Sequence, residues 1–124
     1  MKQILLVDDS KFQRTANMRV LTRAGYQVTL AGDGEEALAQ ATLAPPDLIF
    51  LDLMLPKMSG VDVLKSLKSN SLTSSVPVVV LTGLSERNTG KLLEAGATAY
   101  VEKSKLEGSN ASEILIQVVK AILN

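Results

Sequence analysis

Apolar and polar positions alternate along this chain in blocks of two kinds. Short, nearly continuous apolar runs occur at Ile4–Val7, Val28–Leu30, Leu48–Leu51, Val78–Leu81 and Ala99–Val101. Between them lie longer stretches of helical spacing near residues 11–24, 34–43, 60–69, 85–95 and 110–123. Unbroken Val, Ile and Leu runs suit parallel strands covered on both faces, because they leave no polar side for water. Strands alternating with helices of this length predict βαβ units. Right-handed crossovers then place helices on both sides of one sheet. The expected fold class is α/β, a three-layer sandwich around a five-stranded parallel sheet.

Punctuation agrees with these breaks. Gly25 and Gly96 each follow a helical run and suit a left-handed stop. Pro45-Pro46 ends the second helix. Gly32-Asp33-Gly34 reads as a turn into that helix and not as a P-loop, since no GxxxxGK[ST] follows a strand. Asn110, with Glu113 three residues on, reads as a capping pair. It opens a helix whose apolar face is Ile114, Leu115, Val118, Val119 and Ile122. Ser104–Ser109 reads as a polar surface loop. Gly90 inside the fourth helix costs about 1 kcal/mol against alanine, which makes that helix either merely weak or loose enough to be repositioned. Asn17 falls on a face expected to be apolar, where it is either partly exposed or hydrogen-bonded inside.

Composition narrows the function. The 124 residues fit one domain, 1–124, with no output domain, and 46% are hydrophobic. Cysteine and histidine are both absent, which removes disulfides, thiolate metal sites and His-based acid–base catalysis. Thirteen basic residues balance thirteen acidic ones, so nothing favours nucleic acid or an anionic membrane. Lys11, Arg14, Arg19 and Arg23 share one helix without interleaved aromatics and read as its solvated face. The first apolar run is too short for a signal peptide or a membrane span, and a cytoplasmic location follows by default.

The chemistry gathers at strand ends. Asp8 and Asp9 follow the first strand, Asp52 the third, Thr82 the fourth, and Lys103 the fifth. If strands one and three are neighbours, the three carboxylates meet where the winding of the sheet reverses, the usual ligand crevice of such folds. Clustered carboxylates repel one another unless a cation lies among them. All-oxygen ligands favour a hard ion, Mg²⁺ before Ca²⁺. Aspartate is a nucleophile in aspartyl-phosphate chemistry, while a hydroxyl and an ammonium can hold phosphate oxygens. Taken singly these residues read as caps, turns and solvated charges. Their joint placement is the specific signal.

With these residues in place, the chain resembles the receiver domains of two-component response regulators, notably the single-domain chemotaxis type. The matching stretches are "ILLVDDS" (4–10), "GYQVTLAGDGEEAL" (25–38), "PDLIFLDLMLPKMSG" (46–60), "PVVVLTG" (77–83) and "EAGATAYVEKS" (94–104), nearly the whole chain. The resemblance implies a flavodoxin-like (βα)₅ fold with strand order 2-1-3-4-5. It implies that Asp52 is the phosphoacceptor and that Asp9, Asp52 and the Met54 carbonyl ligate Mg²⁺, with Asp8 acting through water. Thr82 and Lys103 resemble the phosphoryl-contacting pair, and Tyr100 the aromatic switch residue. Tyr100 reads equally well as a half-buried edge-strand aromatic. A histidine kinase or phosphotransfer protein would be the donor. The readout would be protein–protein binding through 85–95, 99–101 and 110–123, surfaces that could also pair two copies. Such a chain is a self-phosphorylating acceptor and not a turnover enzyme.

Two positions depart from the pattern. Ser104 stands where the family usually has proline, so a trans Lys103–Ser104 bond is expected and the following loop is in question. Gly83 replaces the usual alanine, a mild change. Met54 and Leu84, two residues past Asp52 and Thr82, are apolar and cannot orient water, which predicts a long-lived phosphoryl group. The rival readings are a phosphorylation-independent docking module, supported by Ser104, and a Mg²⁺-dependent phosphohydrolase. The latter commonly needs a second acid where this chain has Met54.

Overall fold

Residues on each strand divide by parity between two cores, as a period of two requires. The computed structural model describes residues 1–83, 89–106, 108 and 110–123. Its strands are β1 (Gln3–Val7), β2 (Gln27–Ala31), β3 (Leu48–Asp52), β4 (Val78–Thr82) and β5 (Ala99–Glu102). The helices between and after them are α1 (Lys11–Arg23), α2 (Gly34–Leu43), α3 (Gly60–Ser69), α4 (Thr89–Glu94) and α5 (Ala111–Leu123). The strands pair in parallel in the order β2-β1-β3-β4-β5, as expected.

One face of the sheet presents Leu5, Val7, Ile49, Leu51, Val78 and Val80 to Ala37 and Ala41 of α2, Val63, Leu64 and Leu67 of α3, and Leu92 of α4. The other presents Ile4, Leu6, Leu48, Phe50, Val79 and Leu81 to Leu21 of α1 and to Leu115 and Val119 of α5. β1, β3 and β4 are thus covered on both sides, which explains their unbroken apolar runs. Each fully buried Leu or Phe contributes roughly 1.5–3 kcal/mol of transfer free energy.

Helix ends follow local chemistry. Ser10, Asp33 and Ser59 cap α1, α2 and α3 by accepting from the N–H groups of Gln13, Glu36 and Asp62. Gly96 ends α4 at φ +109°, a conformation that glycine adopts without a Cβ clash. Asn110 stands just before α5 as expected, its carbonyl accepting from Ile114 N–H at 3.0 Å, but its side chain and Glu113 make none of the hydrogen bonds of a capping pair. The start of the fourth helix, expected at 85, lies partly outside the described residues, as does Leu84. After β5 the chain does not run directly into a loop: Lys103–Leu106 form a single 3₁₀ turn. No peptide bond among the described residues is cis, so Lys103–Ser104 is trans as expected.

Gly60 fixes the path of the chain leaving β3. A Cβ at this position would lie 2.5 Å from Leu53 Cα and 2.6 Å from the Asp52 carbonyl oxygen. Its N–H donates to the Leu53 carbonyl at 3.0 Å. Helix α3 therefore begins in backbone contact with Asp52. Gly60→Ala should force that contact apart and destabilise the fold by about 1–3 kcal/mol, the usual range for overpacking. Thermal unfolding followed by circular dichroism checks this; an unchanged Tm would mean that the backbone yields freely here.

Candidate functional site

The strand register brings the acidic residues together. β1 and β3 are neighbours, with Val7 opposite Leu51, so Asp8 and Asp9 leave β1 beside Asp52 at the end of β3. One carboxylate oxygen from each of Asp8, Asp9 and Asp52 lies within 4.8 Å of the others. Asp8 and Asp52 are buried and Asp9 is exposed, so the cluster opens to solvent on one side. Strand β3 includes Asp52, and β4 includes Thr82, each one residue beyond the apolar run that marks it in the sequence. Thr82 is fully buried and stands opposite Glu102, the residue before Lys103.

Asp52 has no exposed surface, and its two oxygens are held differently. Oδ1 accepts from the Met54 N–H at 3.0 Å. Oδ2 lies 2.7 Å from Lys103 Nζ, an ion pair, and makes no hydrogen bond of good geometry. Lys103 is about one-third exposed at its side chain, so its ammonium spans the buried acid and the solvent. Met54 is exposed and lines a surface groove together with Asp9. Tyr100 is half-buried on the edge strand and packs against the α2–α3–α4 core.

Burial raises the Asp8 carboxyl above its ordinary value. The Ser10 N–H, 2.9 Å from Oδ1, opposes that rise; neighbouring Asp52 adds to it and Lys103 offsets it. A donor set of three carboxylates with one open side fits a hard divalent cation. Bound there, such an ion would neutralise this crowding.

Arg14 was expected on a solvated face, and that expectation fails. Its Nη1 donates to the Asp8 carbonyl at 2.7 Å and would lie 3.0 Å from a Cβ at Gly32. The guanidinium thus ties the β1–α1 loop beneath the β2–α2 loop. Nothing in the sequence sets it apart from the other basic residues of α1. Lys11, Arg19 and Arg23 are exposed as expected. Asn17 is buried, and no described residue hydrogen-bonds its carboxamide. Lys57, in the β3–α3 loop, adopts φ +68°, a strained conformation for a residue with a Cβ. Its ammonium lies 3.7 Å from Asp33.

Comparison with known proteins follows the same line. The family model of the response regulator receiver domain matches residues 4–112. The chain is 45% identical over 103 residues to the alkaline phosphatase synthesis transcriptional regulatory protein PhoP of Bacillus subtilis, covering 82% of this chain and 42% of that protein. It is 38% identical over 124 residues to the response regulator MprA of Mycobacterium leprae, covering 98% and 50%. It therefore spans half or less of the length of these curated relatives. Among solved structures, the chemotaxis response regulator CheY4 of Vibrio cholerae superposes with a TM-score of 0.90 at 32% identity, covering 99% of each chain. This chain belongs to the response regulator receiver family of two-component signalling. Receiver domains are signalling modules rather than classical enzymes, and they bind Mg²⁺ at an acidic pocket. No helix among the described residues is long and apolar enough to cross a membrane.

The raised carboxyl of Asp8 has a measurable consequence. Because its folded pKa lies above the unfolded one, the ionised form opposes folding. The penalty is absent below the ordinary value of 3.8 and complete above the raised one. Asp8→Asn removes the charge, and its Oδ1 can still accept from Ser10. Without divalent cations it should stabilise the protein at pH 7 by on the order of 1 kcal/mol, about 3–6 °C in Tm. The gain should fade as the pH falls toward 3.8. Melting curves across that range in EDTA check the sign; a destabilised variant at pH 7 would contradict it.

Proposed function

We propose that this chain is a phosphorylation switch whose acceptor is Asp52. The observation that carries the reading is the ion pair of 2.7 Å between a fully buried Asp52 and Lys103, beside two further carboxylates. A histidine kinase or phosphotransfer protein would deliver the phosphoryl group. Asp52 attacks through one carboxylate oxygen, and the donor imidazole leaves with the P–N bond electrons. Asp9, Asp52 and the Met54 carbonyl would hold Mg²⁺, with Asp8 acting through water. The ion supplies charge neutralisation at the transferring group.

The remaining steps belong to the chain itself. Lys103 moves its ammonium from Asp52 to a phosphoryl oxygen, and Thr82 donates its hydroxyl to another. Each draws its strand end toward the acceptor. Tyr100, half-buried on β5, follows Thr82 inward. This shifts an existing equilibrium in α4, β5 and α5. The readout surface comprises residues 85–95, 99–101 and 110–123, of which 85–88 lie outside the described residues. Leu93 is exposed on that surface, as a docking residue should be. Signalling would be by binding another protein, with residues 1–124 acting as one unit. A phosphorylation-independent docking role has only Ser104 in its favour, and the Lys103–Asp52 contact forms despite it.

Incubation with Mg²⁺ and phosphoramidate or acetyl phosphate, followed by intact-mass measurement, tests the acceptor. One phosphate-sized gain that requires Mg²⁺ and disappears in Asp52→Asn is expected. A gain that survives Asp52→Asn would assign the acceptor elsewhere.

Lifetime gives a second prediction. Met54 is apolar, exposed and two residues past the acceptor, where it would screen Asp52 without orienting water. Met54→Asn should accelerate loss of the phosphoryl group by about threefold or more, the scale of one added polar contact. Loss of mass after donor removal reads this directly, and an unchanged or slower rate would refute the account.

A further inference from the structure

Helix α1 carries an anomaly that its own packing does not explain. Asn17 faces inward one turn before Leu21, a position where the helix buries its apolar side. It is 8% exposed, no described residue hydrogen-bonds its carboxamide, and the amide atoms keep their contact with solvent. A carboxamide in such a place depends on water for its hydrogen bonds. Asn17 lines a cavity of about 190 Å³. That volume far exceeds the ~10–15 Å³ that one water needs. The other walls are Asp8, Gln13 and Lys103, with Leu81 and Leu106 supplying the apolar sides. The Gln13 carboxamide likewise has no partner among the described residues. Asn17, Gln13, Asp8 and Lys103 thus line one cavity, and Lys103 is the residue paired with Asp52.

We infer that Asn17 is a positioning residue for Lys103, acting through water held in this chamber. The Asn17 carbonyl oxygen accepts from a water that in turn accepts from the Lys103 ammonium. That bridge solvates the ammonium on the side away from Asp52. It lets Lys103 leave the carboxylate for a phosphoryl group without desolvating its remaining N–H donors. The inference rests on the proposed role of Lys103 and adds a residue that this role does not require.

The test substitutes Asn17→Leu, which restores the apolar pattern of α1 and is isosteric enough to keep the fold. The Tm should hold or rise. Phosphorylation by phosphoramidate with Mg²⁺, read by mass, should slow by about threefold to tenfold, the scale of a lost water-mediated contact to a charge. Asn17→Ser, which keeps a polar group on the chamber, should recover part of the rate. In a Lys103→Gln background, Asn17→Leu should have no further effect, because its action passes through the ammonium. Full speed in Asn17→Leu, or an equal loss in the Lys103→Gln background, would overturn the inference. A second arm does not depend on phosphoryl transfer. The ¹⁵Nζ resonance of Lys103 should move in Asn17→Leu and return toward its original position in Asn17→Ser; an unmoved resonance also overturns it. Should the unsubstituted protein gain no phosphate, the acceptor reading fails, and the resonance alone decides the role of Asn17.

Discussion

A charged carboxylate with no exposed surface sets the terms for this molecule. Removing an ion such as the Asp52 carboxylate from water costs several kcal/mol even after the protein relaxes. Two contacts offset that cost: the Met54 N–H on one oxygen and the Lys103 ammonium on the other. Each comes from a different part of the fold, the first from the β3–α3 loop and the second from the end of β5. The resting protein therefore already links the buried acid to its edge strand. On the proposed reading, a group placed on Asp52 would compete with Lys103, and that competition would reach β5 and the turn leading into α5.

The parallel sheet is what makes this link short. Every strand runs the same way, so every carboxyl end reaches the same edge, and the β1–β3 junction adds the two acids of the β1–α1 loop. Around that edge the backbone is secured at close quarters. Gly60 lies against the Asp52 carbonyl, and Arg14 holds the Asp8 carbonyl from below. These contacts fix main-chain positions around the acids. The proposed switch would need such a frame, because coupling is lost if the backbone yields whenever a charge moves.

Much of this was legible in the sequence, for physical reasons that differ by feature. The strands announced themselves because burial on both faces demands unbroken apolar runs. The acids, Thr82 and Lys103 could be placed because each directly follows such a run. Features that depend on contacts between distant segments were not legible. Arg14 looks like any basic residue on an exposed helix until the β1–α1 loop folds back over it. Gly60 looks like the start of a helix until α3 packs against Leu53. The capping pair at Asn110 was a sound local expectation, but the helix starts from that residue's carbonyl. Asn17 was visibly out of pattern, yet its setting could be known only once Lys103 lined the same chamber.

The local rules that this chain breaks are not scattered. Asp8 is held protonated more readily than an ordinary carboxylate, Asn17 is a polar group in a core position, and Lys57 has a left-handed backbone. All three belong to the carboxyl-end loops or to the helix that follows the first of them. The interiors of β1, β3 and β4, by contrast, are wholly apolar. Natural sequences keep such violations where function demands them and stabilise the rest of the fold to compensate. On that argument, Asn17 belongs with the acids and not with the core. A leucine there would satisfy every packing rule that α1 obeys elsewhere, and the chain has instead an amide lining the same cavity as Lys103.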